Sequence, residues 1–404
     1  MLNHSRAILT VLFVLYAFAC FEPMFAGKVH DFHDLWTYYL AARAHSLGLD
    51  PYSLEVLNSL ADRPRSSTLF DYPFVYPPMT IYVFEPLIHL RFEDAAILFL
   101  AVKAAMLAGL YALWSALFLR RFDPVFLWFG LLAFNSPAYI DMHVGNVSII
   151  EQFLLWSGFA ALLARRHAVF CALTAAAALF KLTPLLFLGL LFVPSLRPGR
   201  PLLLAGITLG LFGAIAAASY LAIPGAASGL TENLGRHFML VGALNPSLLG
   251  VWEFARQVLG KDAGLDLPAW LPFLLYAAAA CAVLALSFPV LRAPAVDGRD
   301  AILFACLAYA VLMPRLPDYS YIIVLLPAYV AFCRTTIGAS PLLIVLAFMQ
   351  VANQHILGSK IFYSIILQYY PLLLALLAWW LFARAIGATQ KDVPSPAKYG
   401  DASS

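Results

Sequence analysis

Apolar positions run along this chain in long blocks with short polar turns between them, without the alternation that a soluble helix or strand shows. Residues 7–25, 95–119, 124–140, 147–164, 168–196, 201–223, 268–291, 301–313, 320–333, 341–357 and 364–383 are almost wholly apolar. Most of these runs approach the roughly 20 residues that a helix needs to cross a hydrocarbon core. The pattern predicts an all-α polytopic membrane protein with about twelve transmembrane helices within residues 1–385, followed by a polar, disordered cytoplasmic tail over 386–404. Two polar stretches, 26–93 and 224–267, read as large outer loops. Residues 79–90 are apolar but too short to span, and are expected to form a juxtamembrane helix on the side of the first loop. Residues 248–259 are likewise too short to span.

The run 168–196 conflicts with a single crossing. Arg165 and Arg166 precede it, Arg197 and Arg200 follow it, and loops rich in Lys and Arg stay on the cytoplasmic side. A break at Lys181-Leu182-Thr183-Pro184, where proline removes an amide donor, gives two short helices meeting at an outer tip. Lys181 then lies near the first outer loop. With the charges sorted in this way, thirteen Lys/Arg and five acids fall inside, leaving twelve and seventeen elsewhere. Acids crowd the outer side, which suits an extracytoplasmic active site better than a pore. The first run, after Arg6, reads as a retained span with the N-terminus inside, and the tail places the C-terminus inside as well.

Composition agrees. At 63% hydrophobic and 12% charged residues, with mean hydropathy +0.83, the chain cannot form an ordinary soluble core. Basic and acidic groups, 25 and 22, nearly balance, so nucleic acid is not an expected partner. The five cysteines sit in apolar runs without disulfide or zinc spacing.

The densest chemistry follows the first run. In a helix opening near His30, residues Asp31, Asp34, Tyr38 and His45 share an arc of roughly 60°. Phe32, Trp36, Leu40 and Leu47 occupy the opposite arc, as on a helix lying along a membrane surface. A carboxylate partly shielded by aromatics can accept a proton from a hydroxyl as it attacks. Acids at a helix start also stabilise its dipole, and spacing alone does not separate Asp31 from Asp34. The His30-Asp31-x-His33-Asp34 cluster could converge on a cation, but no DxD pair supports a metal, and none is expected. Lys181 is an ionisable group in an apolar segment, which makes it a functional candidate. Lys103 lies near enough to a span end to reach the headgroups. Asp141, His143 and Asn146 in one turn, with Arg236, His237, Asn245 and Arg315 to Tyr319 on the same side, would put donors and cations around one outer cleft.

These residues form an ordered set. Asp34-Leu35-Trp36-Thr37-Tyr38-Tyr39, Gly48-x-Asp50-Pro51-Tyr52, Tyr76-Pro77-Pro78, Gly145-Asn146, Lys181-x-x-Pro184, Asn245-Pro246-Ser247 and Met313-Pro314 together resemble glycosyltransferase family 87, within the GT-C superfamily of multispanning enzymes. The resemblance covers roughly residues 5–385. It implies a GT-C-type bundle and inverting transfer of a sugar, usually mannose, from a polyprenyl-phosphate donor to a lipid-linked or glycan acceptor on the outer face of the plasma membrane. No nucleotide sugar or other cofactor is implied. The offset to Tyr38-Tyr39 assigns the catalytic aspartate to Asp34, and the lysine before proline to Lys181. Arg236, His237 and Arg315 are the further candidates for the donor phosphate. Asp31, Tyr38, Tyr76, Asp141, His143, Asn146, Asn245, Asp318 and Tyr319 are the candidates for substrate contacts. Many members carry Gly-Gln-x-Asn, Asn-Gln-Ser and a His-Tyr pair where this chain has Gly145-Asn146-Val147-Ser148, Asn245-Pro246-Ser247 and Asp318-Tyr319. A pentose or glucose donor is the enzymatic alternative to mannose; a lipid or sugar flippase or transporter is the alternative of another class.

Overall fold

The computed structural model describes residues 2–25, 32–61, 72–238, 241–242, 245–293, 296–334 and 360–391. Sixteen helices account for most of these: α1 Leu2–Phe25, α2 His33–Ser46, α3 Leu54–Leu60, α4 Met79–Phe84, α5 Phe92–Trp114, α6 Pro124–Leu132, α7 Pro137–Val144, α8 Ser148–Leu163, α9 His167–Ala178, α10 Pro201–Ala222, α11 Ala226–Phe238, α12 Leu248–Ala263, α13 Leu271–Arg292, α14 Gly298–Leu312, α15 Leu325–Cys333 and α16 Lys360–Lys391. Tight 3₁₀ segments at Glu85–His89, Thr183–Phe192 and Asp318–Val324 join several of them. There is no strand among the described residues.

Several apolar helices mark a membrane protein. Phe92–Leu119, Pro201–Ala222, Leu271–Arg292 and Gln368–Gly387 are long and apolar enough to cross, and α6 with α7, bent by 67°, makes a fifth if counted as one span. At 1.5 Å per residue the 22 residues of α10 reach about 33 Å, a hydrocarbon thickness. Its outward leucines, Leu202 and Leu221, are 76% and 86% exposed, as lipid-facing side chains are. The count of about twelve spans is not established, because polar breaks leave shorter helices where continuous spans were expected. The 124–140 run breaks at Phe134, Asn135 and Ser136, all at positive φ, and residues 168–196 divide into α9 and the Thr183–Phe192 segment, as the charges required. Residues 341–357 lie outside the described set. α16 carries past residue 385 to Lys391, so the tail expected from 386 begins as helix.

The core sits where α8 packs on α5 and α9, with α14, α15 and α16 closing the other side. Trp114 and Trp156, both fully buried, meet edge to face at 5.5 Å between α5 and α8. The described parts of the first polar stretch, 32–61 and 72–93, fold onto this core. Its helix α2 does not lie along a surface with one arc in lipid: Leu35, Tyr38, Leu40 and Ala41 are all buried against protein, whereas Leu47 is 57% exposed. Contacts with α3, α4, α5 and α7 enclose it. Thr80 of α4 donates to the Leu179 carbonyl at 2.6 Å, pinning the first loop to the break after α9.

Candidate active site

Gly145 brings the two halves of the site together. It ends α7 at φ 72°, and a Cβ there would stand 2.8 Å from the Leu35 Cβ of α2. Only glycine meets both demands, a left-handed turn and backbone pressed against a neighbouring helix. The next residue, Asn146, is fully buried and reaches across. Its Nδ2 donates to Asp34 Oδ2 at 2.6 Å and lies 2.9 Å from the Tyr76 hydroxyl and 3.2 Å from that of Tyr38. Its Oδ1 accepts from the Ser148 amide at 3.0 Å and from the Ser148 hydroxyl at 2.9 Å, which leaves the amino group for Asp34. Tyr38 donates to Tyr76 at 2.7 Å. Asp34 is 19% exposed at its side chain, with His33 Nε2 at 3.7 Å, so the carboxylate is oriented by protein on one side and open on the other.

Lys181 enters from the break after α9. Its ammonium donates to Ser148 Oγ at 2.7 Å and Ser320 Oγ at 3.3 Å, lies 3.3 Å from Glu151 Oε2, and stands 5.1 Å over the Tyr319 ring. Ser148 accepts from Lys181 and donates to Asn146. One line of hydrogen bonds therefore joins the Asp34 carboxylate to the Lys181 ammonium.

Two cavities adjoin this line. A small one of about 100 Å³ is lined by His33, Asp34, Tyr38, Arg315 and Asp318. A larger one of about 690 Å³ is lined by Lys181, Glu151, Gln152, Tyr309 and Ser320, with apolar Leu230 and Leu234. Tyr76, Arg315 and Tyr319 line both. An apolar groove of about 670 Å³ between α13, α14 and the Thr183–Phe192 segment shares Tyr309 and Met313 with the larger cavity. Burial pushes the Tyr38, Tyr76 and Tyr319 hydroxyls up from the ordinary phenol range, so they stay neutral. Burial first, and then the charge of Asp34, push Asp318 up to about 6.

Of the residues singled out in the sequence, Asp34, Tyr38, Tyr76, Asn146, Lys181, Arg315, Asp318 and Tyr319 come together here. Asp141 does not face a cavity: it is fully buried and ion-paired with Lys103 at 2.7 Å, its Oδ2 accepting from the Ser148 amide. Lys103 accordingly does not reach for the headgroups; it is 0% exposed and also donates to the Asp141 carbonyl at 2.6 Å. His143 stacks on Tyr139 at 5.9 Å, away from both cavities. Asn245, 1% exposed, accepts from the Leu316 amide at 3.0 Å, and so positions the turn that carries Arg315 instead of lining a cavity. Asp31 lies outside the described residues, as do the side chains of Arg236 and His237. Ser148, Glu151, Gln152 and Ser320 were not singled out. Glu151 carried a usable signal, an acid inside an apolar run; two serines in such runs carried none.

Apolar helices around buried charges, with a cavity that carries Lys181, Glu151 and Arg315 beside an apolar groove, mark a membrane protein. The chain belongs to glycosyltransferase family 87, whose family model matches residues 74–316, and it is a membrane glycosyltransferase. Tyr76, Asn146, Lys181 and Arg315 lie within the matched stretch; α2 with Asp34 precedes it. Searches among curated proteins and among solved structures return no match.

Proposed function

We propose that the protein transfers a sugar, mannose in the first instance, from a polyprenyl-phosphate donor to a lipid-linked or glycan acceptor on the extracytoplasmic face, with inversion. The observation that carries this reading is the hydrogen-bonded line from Asp34 through Asn146 and Ser148 to Lys181. It sets a carboxylate and an ammonium on adjoining cavities, the larger of which meets an apolar groove. The prenyl chain lies in that groove and its phosphate at Lys181, with Arg315 as a second cation. The acceptor enters beside Asp34, which takes the proton of the attacking hydroxyl. As the new acceptor oxygen to anomeric carbon bond forms, the bond to the phosphate oxygen breaks with its electron pair going to phosphate. A phosphate leaves without a general acid, because the resulting charge is held by cations. The charge sorting of the loops supports the outer face for the site and the inner face for both termini.

The test is transfer of labelled sugar from purified polyprenyl-phosphate-mannose to an extracted acceptor pool, with and without EDTA. Asp34→Asn should lower transfer by a factor on the order of 10²–10⁴, the range of a lost general base, and EDTA should change nothing. Full transfer by Asp34→Asn would refute the mechanism. An inactive wild type with mannose moves the donor to another polyprenyl-phosphate sugar, and inactivity with all of them, together with lipid flipping, would replace the transferase reading.

A further inference from the structure

Lys181 does not meet the larger cavity as a free cation. Glu151, whose side chain is 5% exposed, lines the same wall with Oε2 3.3 Å from the ammonium. Among the described residues, the polar contacts of its carboxylate are Lys181 and a long 3.5 Å hydrogen bond from Gln152 Nε2. Gln152, which lines the same cavity, is itself 2% exposed, and its buried Oε1 has no hydrogen-bond partner among the described residues. Ion-paired with Lys181 at 3.3 Å, the Glu151 carboxylate stands close to the proposed phosphate position and opposes the ligand that Lys181 attracts. A site that only needed to bind phosphate tightly would leave it out.

We propose that Glu151 is a charge-selecting residue: it tolerates a singly charged phosphodiester at Lys181 and drives out the doubly charged monoester that remains after transfer. The proposal rests on the donor-site reading given above. Before transfer, the donor phosphate is a diester with one negative charge. When the sugar leaves, the electron pair of the broken bond stays on phosphate and the acceptor proton goes to Asp34. The phosphate is then a monoester, whose second ionisation near pH 6 gives it about −1.5 to −2 at pH 7. Lys181 brings one positive charge, part of which Glu151 already engages. Repulsion from Glu151 therefore counts up to about twice as much for product as for donor. In the transition state only part of the new charge has developed, so the larger effect falls on product retention. Arg315 lines the same cavity and is unchanged in the variants compared, so the difference between them isolates Glu151.

Glu151→Gln keeps the shape and removes the charge. The experiment uses the full chain and measures competition by a short-chain prenyl phosphate, a dianion, and by its monomethyl ester, a monoanion, together with single-turnover and steady-state transfer. The variant should bind the prenyl phosphate about tenfold more tightly and the ester at most about threefold more tightly. Steady-state turnover should fall more than single-turnover transfer, because the product retained by the variant then limits the cycle. Equal gains for the two inhibitors, or single-turnover and steady-state rates falling together, would overturn the proposal. If a thermal melt shows Glu151→Gln misfolded, Glu151→Asp, which withdraws the carboxylate by one methylene, should move the inhibitor ratio the same way by a smaller factor; an unchanged ratio overturns the proposal equally. A wild type that transfers no sugar and binds neither inhibitor would bring down the donor-site reading, and this proposal with it. Transfer with an unmoved ratio brings down this proposal alone.

Discussion

Lys103 and Lys181 give the same signal in the sequence, one ammonium in an apolar run, and reach opposite circumstances in the fold. Lys103 is closed in by the carboxylate and carbonyl of a single residue, Asp141, with both side chains at 0% exposure. Lys181 also faces a buried carboxylate, Glu151 at 3.3 Å, and donates to the buried hydroxyls of Ser148 and Ser320, but it is itself 21% exposed and lines a cavity. The first pair is charge cancelled inside the scaffold. The second leaves a cation beside a cavity. What separates them is whether the pair reaches a cavity, because an ion pair without access to ligand can only hold structure.

The strongest way to break that comparison is to remove the sealed lysine. Lys103→Met leaves Asp141 buried without a cation, and should cost about 3–5 kcal/mol of stability, read as a large fall in thermal midpoint. Lys103→Met with Asp141→Leu should recover most of it. A single variant as stable as wild type would mean that the pair is not the structural element described. Lys181→Met should act on the other side of the comparison. It should lower transfer about 30- to 100-fold, mainly through the donor KM, as expected for a lost charge-assisted contact worth about 2–3 kcal/mol; the carboxylate it strands, Glu151, lines a cavity that water can enter, so the fall in thermal midpoint should be smaller than for Lys103→Met. Equal melting losses for the two lysines would dissolve the distinction.

Proton uptake sharpens the contrast, because only the open site meets solvent. Asp318 sits in the turn beyond α14, and its carboxyl is raised to about 6 from the ordinary 3.8, by burial first and then by the Asp34 charge. Folding thus disfavours its ionised form. The stability this contributes is complete below about pH 4 and is lost as pH rises through about 6, an amount of at most about 3 kcal/mol. Asp318→Asn should flatten that part of the stability profile, measured as thermal midpoint from pH 4 to 7.5. An unchanged slope would assign it to another group. The smallest expected effect is Ser320→Ala, which removes the 3.3 Å contact to Lys181 and should change the donor KM less than about threefold. Ser148→Ala cuts the line to Asn146 and should cost kcat more, about tenfold.

Much of this site was legible from particular residues. The basic clusters at both ends of 168–196 required a break, and the lysine before proline marked where it falls. Spacing did not separate Asp34 from Asp31; the family resemblance did, by the offset to Tyr38-Tyr39, and its Gly145-Asn146 motif marked the turn that meets Asp34. The arc drawn for α2 failed because helical spacing shows which residues share a face but not what covers each face; α3, α4, α5 and α7 pack around this one and leave only Ser46 of it exposed. Asp141 and His143 shared a polar turn with Asn146, yet one turned inward to a cation on another helix and one stacked on a tyrosine. The partner of Asp141 is 38 residues away in sequence, beyond any local pattern.

The sequence by itself determined that this chain is helical and built for lipid, where its long segment breaks, and which residue types carry charge into apolar surroundings. These follow from composition and local backbone chemistry, which act over a few residues. The tertiary structure alone decided which charges cancel and which face a cavity. That choice depends on the packing of α2, α5, α8 and the break after α9 against one another, and the low dielectric of the interior makes a few ångströms there the difference between a sealed pair and a binding site.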